Sequence, residues 1–226
     1  MLDPSNATLL QTCYADSSSL SSNTVDAKLY IDNDTNEYFI IVSTNSRYSS
    51  GLASANNPIY TQINSESIYT NIRYIKFESK IVFIRDFFKQ MSGLYGLIVG
   101  ESQTYLPSYM SLYLAQNWLI IPPSVTTVYD YVFYKYKPIL YFTGDNNITS
   151  VSTTGNGNYA SAEKYFYSAT YKQGYWHYNS DNLPEIWAEP AQSTIKYYDT
   201  DSFVDATVNY YDGTSFVECD VYYYDI

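Results

Sequence analysis

The chain has 226 residues, 46% of them hydrophobic, yet 29 are tyrosine and only 15% are charged, so it can bury a core, and that core leans on tyrosine rings. Twelve Lys and Arg against 23 Asp and Glu leave a net charge of −11, which opposes attraction to nucleic-acid phosphates and anionic lipid. No apolar run approaches the roughly 20 residues of a spanning helix, and Met1-Leu2-Asp3-Pro4-Ser5-Asn6 lacks the basic and apolar regions of a secretion signal, so a soluble protein without such an address is expected.

β-branched and aromatic residues outnumber strong helix formers, which predicts an all-β fold. In chain order, the Ser-rich stretch 17–22 reads as an arm, and strands are expected over 27–32, 37–43, 68–78, 81–85, 108–115, 125–136, 139–143, 164–172 and 194–198. Asp32-Asn33-Asp34-Thr35-Asn36-Glu37 alternates oxygen ligands as a calcium loop does, but it lacks the sixth-position glycine and has Ser43 at the twelfth position; it reads as a polar hairpin loop. The only helical spacing lies between residues 85 and 97, where glycines weaken it. Pro122-Pro123 is a strong breaker that divides the chain into near-equal parts.

At the C-terminus, Asp212-Gly213 supplies a two-residue turn between alternating runs. That register sets Val208 opposite Val217, Ala206 opposite Cys219 and Val204 opposite Val221 on a buried face, and Asp205 opposite Asp220 on the other. Two carboxylates facing each other repel, so this pair needs a cation, screening or acid to relieve it. Many short strands make an antiparallel β-sandwich or jelly roll. It is either two sandwiches, 1–121 with an N-terminal arm and 124–226, or a single jelly roll over 1–226. No repeat of fixed period is read in the chain.

Cys13 and Cys219 either pair, closing nearly the whole chain into a loop worth about 4–5 kcal/mol, or are separate buried apolar residues. Neither belongs to a Cys/His cluster, so no metal or organic cofactor is expected. His177 is the single histidine and sits among aromatic residues, which favours packing over nucleophilic catalysis. Trp176, Trp187, Tyr175 and Tyr178 accompany Glu185 and Glu189, and an aromatic platform beside carboxylates suits carbohydrate binding or glycoside hydrolysis. Sequons occur at Asn6, Asn33 and Asn147, as chance also allows in an Asn/Ser/Thr-rich chain.

The all-β pattern, the low charge and tyrosine runs such as Tyr197-Tyr198 and Tyr222-Tyr223-Tyr224 resemble, in overall character along the whole chain, structural proteins of viruses infecting archaea of hot acidic springs. The resemblance implies a non-enzymatic, oligomeric virion protein, a subunit of a capsid, penton, turret or tail, with itself and other virion proteins as partners. The alternative is a carbohydrate- or receptor-binding β-sandwich module directed at a host-surface glycan, and the third reading is a glycoside hydrolase.

Overall fold

The computed structural model describes residues 2–14, 25–43, 63, 66–78, 91–108, 110, 118–188, 195–199, 202–206, 209–211 and 216–218. They belong to two compact units, Met1–Trp187 and Ala188–Ile226. Among the described residues, no helix is long and apolar enough to cross a membrane.

The first unit starts with a 3₁₀ turn, Pro4–Asn6, capped by the Asp3 carboxylate, which accepts from the Ser5 N–H at 2.8 Å. A meander follows, in which β1 (Ala7–Tyr14), β2 (Val25–Asp32) and β3 (Tyr38–Val42) are each antiparallel to the next. The turn between β2 and β3 is the polar loop expected over residues 32–37. Asn36 takes a φ of 57° there, which asparagine tolerates.

After α1 (Glu66–Thr70) the pairing becomes parallel. β4 (Ile72–Phe77) lies beside β3, and β5 (Gly96–Ile98) beside β4. From there the chain coils. β6 (Tyr105–Leu106) starts a second sheet, β7 (Trp118–Ile121) returns to the first, and β8 (Thr127–Val128) goes back to the second. β9 (Ile139–Phe142) and β10 (Ser150–Val151) repeat the course, and α2 (Gly157–Ser161) leads into β11 (Lys164–Phe166). The long sheet has eight strands in the order β1-β2-β3-β4-β5-β7-β9-β11, the short one has the order β10-β8-β6, and together they form a β-solenoid of about three turns. A hairpin of β12 (Trp176–Tyr178) and β13 (Pro184–Ile186) follows the last turn.

This architecture corrects the expected antiparallel sandwich or jelly roll. β7 is buried at all four positions, Trp118-Leu119-Ile120-Ile121. A run buried on both faces belongs to a covered parallel stack, not to one half of a sandwich. The strand expected over 125–136 is extended and paired only at Thr127–Val128, because most of that segment turns corners. Pro122-Pro123 makes one such corner, between β7 and β8.

The chain also has an internal period, contrary to the sequence reading. Tyr74 pairs with Gly96, and Gly96 with Trp118, a step of 22 residues each time. Trp118 then pairs with Ile139, and Leu140 with Lys164, in steps of 21 and 24. Ile40, Ile75, Leu97, Leu119 and Leu140 stack in register along the core face. Gly96 is required where it stands, since a Cβ there would collide with the Trp118 indole lying across it.

The helix expected over 85–97 is not found in its described part, where Gly96–Ile98 is strand; residues 85–90, like the strand expected over 81–85, lie outside the described residues. The expected strand 108–115 is described only at Ser108 and Met110, both in turns.

In the second unit, β14 (Ile195–Asp199) pairs with β15 (Ser202–Ala206), and β16 (Asn209–Tyr211) with β17 (Phe216–Glu218), all antiparallel. The expected C-terminal hairpin is therefore corrected. Tyr210, not Val208, stands opposite Val217, and Ala206 stands opposite Ile195. Residues 202–206 have a candidate partner across a two-residue link on their N-terminal side as well, and it is that one, β14, with which they pair. The change also sets Asp205 opposite Lys196 instead of another carboxylate.

Candidate functional site

Successive residues of the parallel strands point to opposite faces, so the residues between the core positions form an outer face of the long sheet. That face is aromatic. Tyr30 stacks on Phe39 with centroids 5.1 Å apart, Tyr74 on Trp118 at 5.8 Å, and Tyr141 on Tyr165 at 5.9 Å. Burial, aided by the Tyr165 hydroxyl, pushes the Tyr141 phenol up to about 12. Burial and the nearby Glu37 carboxylate raise Tyr74 as well. These phenols stay neutral over any ordinary pH, and the face works as apolar surface with hydroxyl tips.

The β12–β13 hairpin packs onto this face through Trp176, which is fully buried. Its indole N–H donates to the Phe142 carbonyl at 2.9 Å, which ties the hairpin to β9. Tyr178, on the same strand two residues on, meets Trp176 edge to face at 4.9 Å and keeps 38% of its surface exposed.

Beside Tyr178 opens a cleft of 610 Å³ at the C-terminal ends of β4, β5, β7 and β9. Ile98 and Pro4 give it partly exposed apolar surface, and Leu2, Phe77, Val99 and Ile120 lie buried behind it. Its polar groups are Lys76, Glu78, Glu101, Thr143 and Asn182, with Asp3 beside Pro4. Lys76 Nζ lies 3.8 Å from Glu78 Oε1. The Thr143 hydroxyl is buried and has no hydrogen-bond partner. Burial, then Tyr167, then the Glu101 carboxylate raise the Tyr178 phenol, so the negative charge of Glu101 is felt at the ring.

Of the four aromatic residues singled out in the sequence, only Tyr178 reaches this cleft. Trp176 belongs to the core, so Trp176 and Trp187 do not form one exposed platform. Trp187 is half-buried, donates its indole N–H to the Ser168 carbonyl at 3.1 Å, and stacks on the His177 ring at 3.5 Å. Tyr175 is half-buried under Lys172, whose Nζ stands 3.8 Å from the ring centroid. His177 is thus held in packing, and Glu185 is exposed opposite it on β13. Glu189 and Cys219 lie outside the described residues; Cys13 is buried on β1 opposite Ala27. Among the described residues, no three His, Cys, Asp or Glu side chains converge as a metal site.

Sequence reasoning missed Glu78, Glu101 and Thr143. The signal was the period: Glu78, Gly100, Pro122 and Thr143 each come three residues after the core positions Ile75, Leu97, Leu119 and Leu140, and Glu101 follows Gly100. No protein-family model matches the chain, and neither does any curated protein or solved structure.

Proposed function

We propose that the chain is a non-catalytic structural subunit, of the kind found in a virion shell, penton, turret or tail, working through contacts with further copies of itself and with other subunits. The observation that supports it is the outer edge of β1, the first strand of the eight-stranded sheet, which pairs with β2 alone among the described residues. An open edge offers a row of backbone donors and acceptors to another chain, and proteins that avoid such pairing guard it with charge or proline. Residues 4–15 carry no charge, and β1 contains no proline. Leu9 and Leu10, at a bulge in the register with β2, are 48% and 42% exposed. In a chain of net charge −11, this neutral edge is where two copies approach at least electrostatic cost.

Light scattering on the full chain at rising concentration tests the reading. Self-association is expected, and Leu9→Lys with Leu10→Lys should abolish it while leaving the melting temperature near that of the parent, because both side chains face solvent. A chain that stays monomeric throughout, or a double variant that assembles like the parent, overturns it.

A further inference from the structure

We propose that the cleft beside Tyr178 binds an amphipathic organic cation, a primary ammonium carried on an aliphatic chain. The cleft is separate from the β1 edge, and the inference does not depend on the assembly reading.

Its volume of 610 Å³ falls within the roughly 300–1,000 Å³ usual for small-molecule sites. The walls and the polar groups fit different parts of one ligand. Ile98 and Pro4, the apolar lining residues with exposed surface, meet an alkyl chain, backed by the buried Ile120 and Val99. The charged groups decide the sign of the head. Lys76 has Glu78 as its partner at 3.8 Å, whereas Glu101 makes no ion pair among the described residues. With Asp3, the lining carries three carboxylates against one ammonium. An anion entering here meets like charge, and the protein's overall charge of −11 repels it from a distance. A neutral polyol would gain no attraction from the carboxylates and would set hydroxyls against the Ile98 side chain. A cationic head avoids both costs.

Two further groups suit an ammonium. The Thr143 oxygen is buried without a hydrogen-bond partner, and a turn of its side chain toward the cleft it lines lets it accept one of the ammonium's protons. The exposed part of the Tyr178 ring offers a cation–π contact, and the Trp176 edge 4.9 Å away supports that ring from the core side.

The test is an NMR titration of the full chain with hexylammonium, hexanol and hexanoate, which share a tail and differ in the charge of the head. Hexylammonium should bind with shifts centred on Tyr178 and Thr143, hexanol more weakly, and hexanoate not at all. Glu101→Gln should weaken hexylammonium about tenfold, as expected for one charge-assisted hydrogen bond. Lys76→Met, which removes the competing cation, should tighten it. Glu101 is exposed, so its variant should melt with the parent. Hexanol binding as tightly as hexylammonium, no binding by hexylammonium, or a Glu101→Gln variant with unchanged affinity would each overturn the proposal.

Discussion

Asp32 is only 3% exposed, and its carboxylate closes the turn between β2 and β3. Its Oδ1 accepts from the Thr35 N–H at 2.9 Å, the Asp34 N–H at 3.1 Å and the Thr35 hydroxyl at 3.1 Å. Burial works to raise its pKa, but the bonds from Thr35 and Asp34 outweigh it and hold the carboxyl below the ordinary 3.8. A lowered native pKa stabilises the fold above the unfolded value and loses that contribution as pH falls through the native one. Asp32→Ala should therefore cost about 1–3 kcal/mol at neutral pH, the range for bonds to a charged group. The gap to the parent should narrow in acid, once the parent's own carboxyl is protonated. Thermal melts of both proteins at pH 7 and below pH 3 check this, and a gap of constant size would refute the electrostatic account. This turn was readable from the sequence because Asn and Asp act within their own few residues. Trp176 was not, because an aromatic-rich stretch does not say which ring faces the sheet.

At the level of elements, the solenoid turns are joined by side chains as well as by strand pairing. Asn156 is buried, and its Nδ2 donates to the Tyr129 and Ser152 carbonyls at 2.7 and 2.8 Å, while its Oδ1 accepts from the Phe133 N–H at 3.0 Å. One amide thus ties the corner after β8 to the corner after β10. At the solenoid's last turn, Lys164 Nζ donates to the Tyr159 carbonyl at 2.7 Å and the Ala162 carbonyl at 3.1 Å, closing the C-terminal end of α2. Asn156→Ala strands buried backbone groups and should cost about 2–3 kcal/mol, while Asn158→Ala, at a half-buried residue that loses one long bond to the Tyr134 carbonyl at 3.4 Å, should stay within about 1 kcal/mol. Urea unfolding of the two variants measures the contrast, and equal midpoints would count against the ladder. The strands β2, β3, β4 and β9 were legible from runs rich in β-branched and aromatic residues, whereas β1, with Thr8, Gln11 and Thr12 among its eight residues, and β7, a four-residue run ended by Pro122-Pro123, were not expected. The solenoid was not, for a physical reason. The second-sheet strands are two residues long, too short for an alternating pattern, and the core stack exchanges Ile for Leu while the corners vary from Gly100-Glu101 to Pro122-Pro123 to Thr143-Gly144. The period lives in the spacing of buried positions, which only the register exposes.

For the molecule as a whole, net charge sets the conditions under which copies can meet. Near neutral pH, 23 carboxylates against 12 basic groups leave each chain at −11, and like charge opposes the close approach that pairing along β1 requires. The carboxylates titrate around pH 4, and the sequence pI is near 4.3. Lowering the pH from 7 toward that value removes the repulsion, and below it the sign reverses. The tyrosine-rich faces do not change over this range, because Tyr74 and Tyr141 are held neutral far above it, so the contact chemistry stays constant while the repulsion varies. Self-association measured by light scattering should therefore be weakest near pH 7 and low salt. It should strengthen toward pH 4–5, and strengthen at pH 7 when salt is added, since screening acts in the same direction. The variant Leu9→Lys with Leu10→Lys separates this from precipitation near the isoelectric point: if β1 is the contact, the variant stays dispersed at pH 5 where the parent associates. Association that weakens as the pH falls, or that proceeds equally in both proteins, would show that the copies meet elsewhere or not at all.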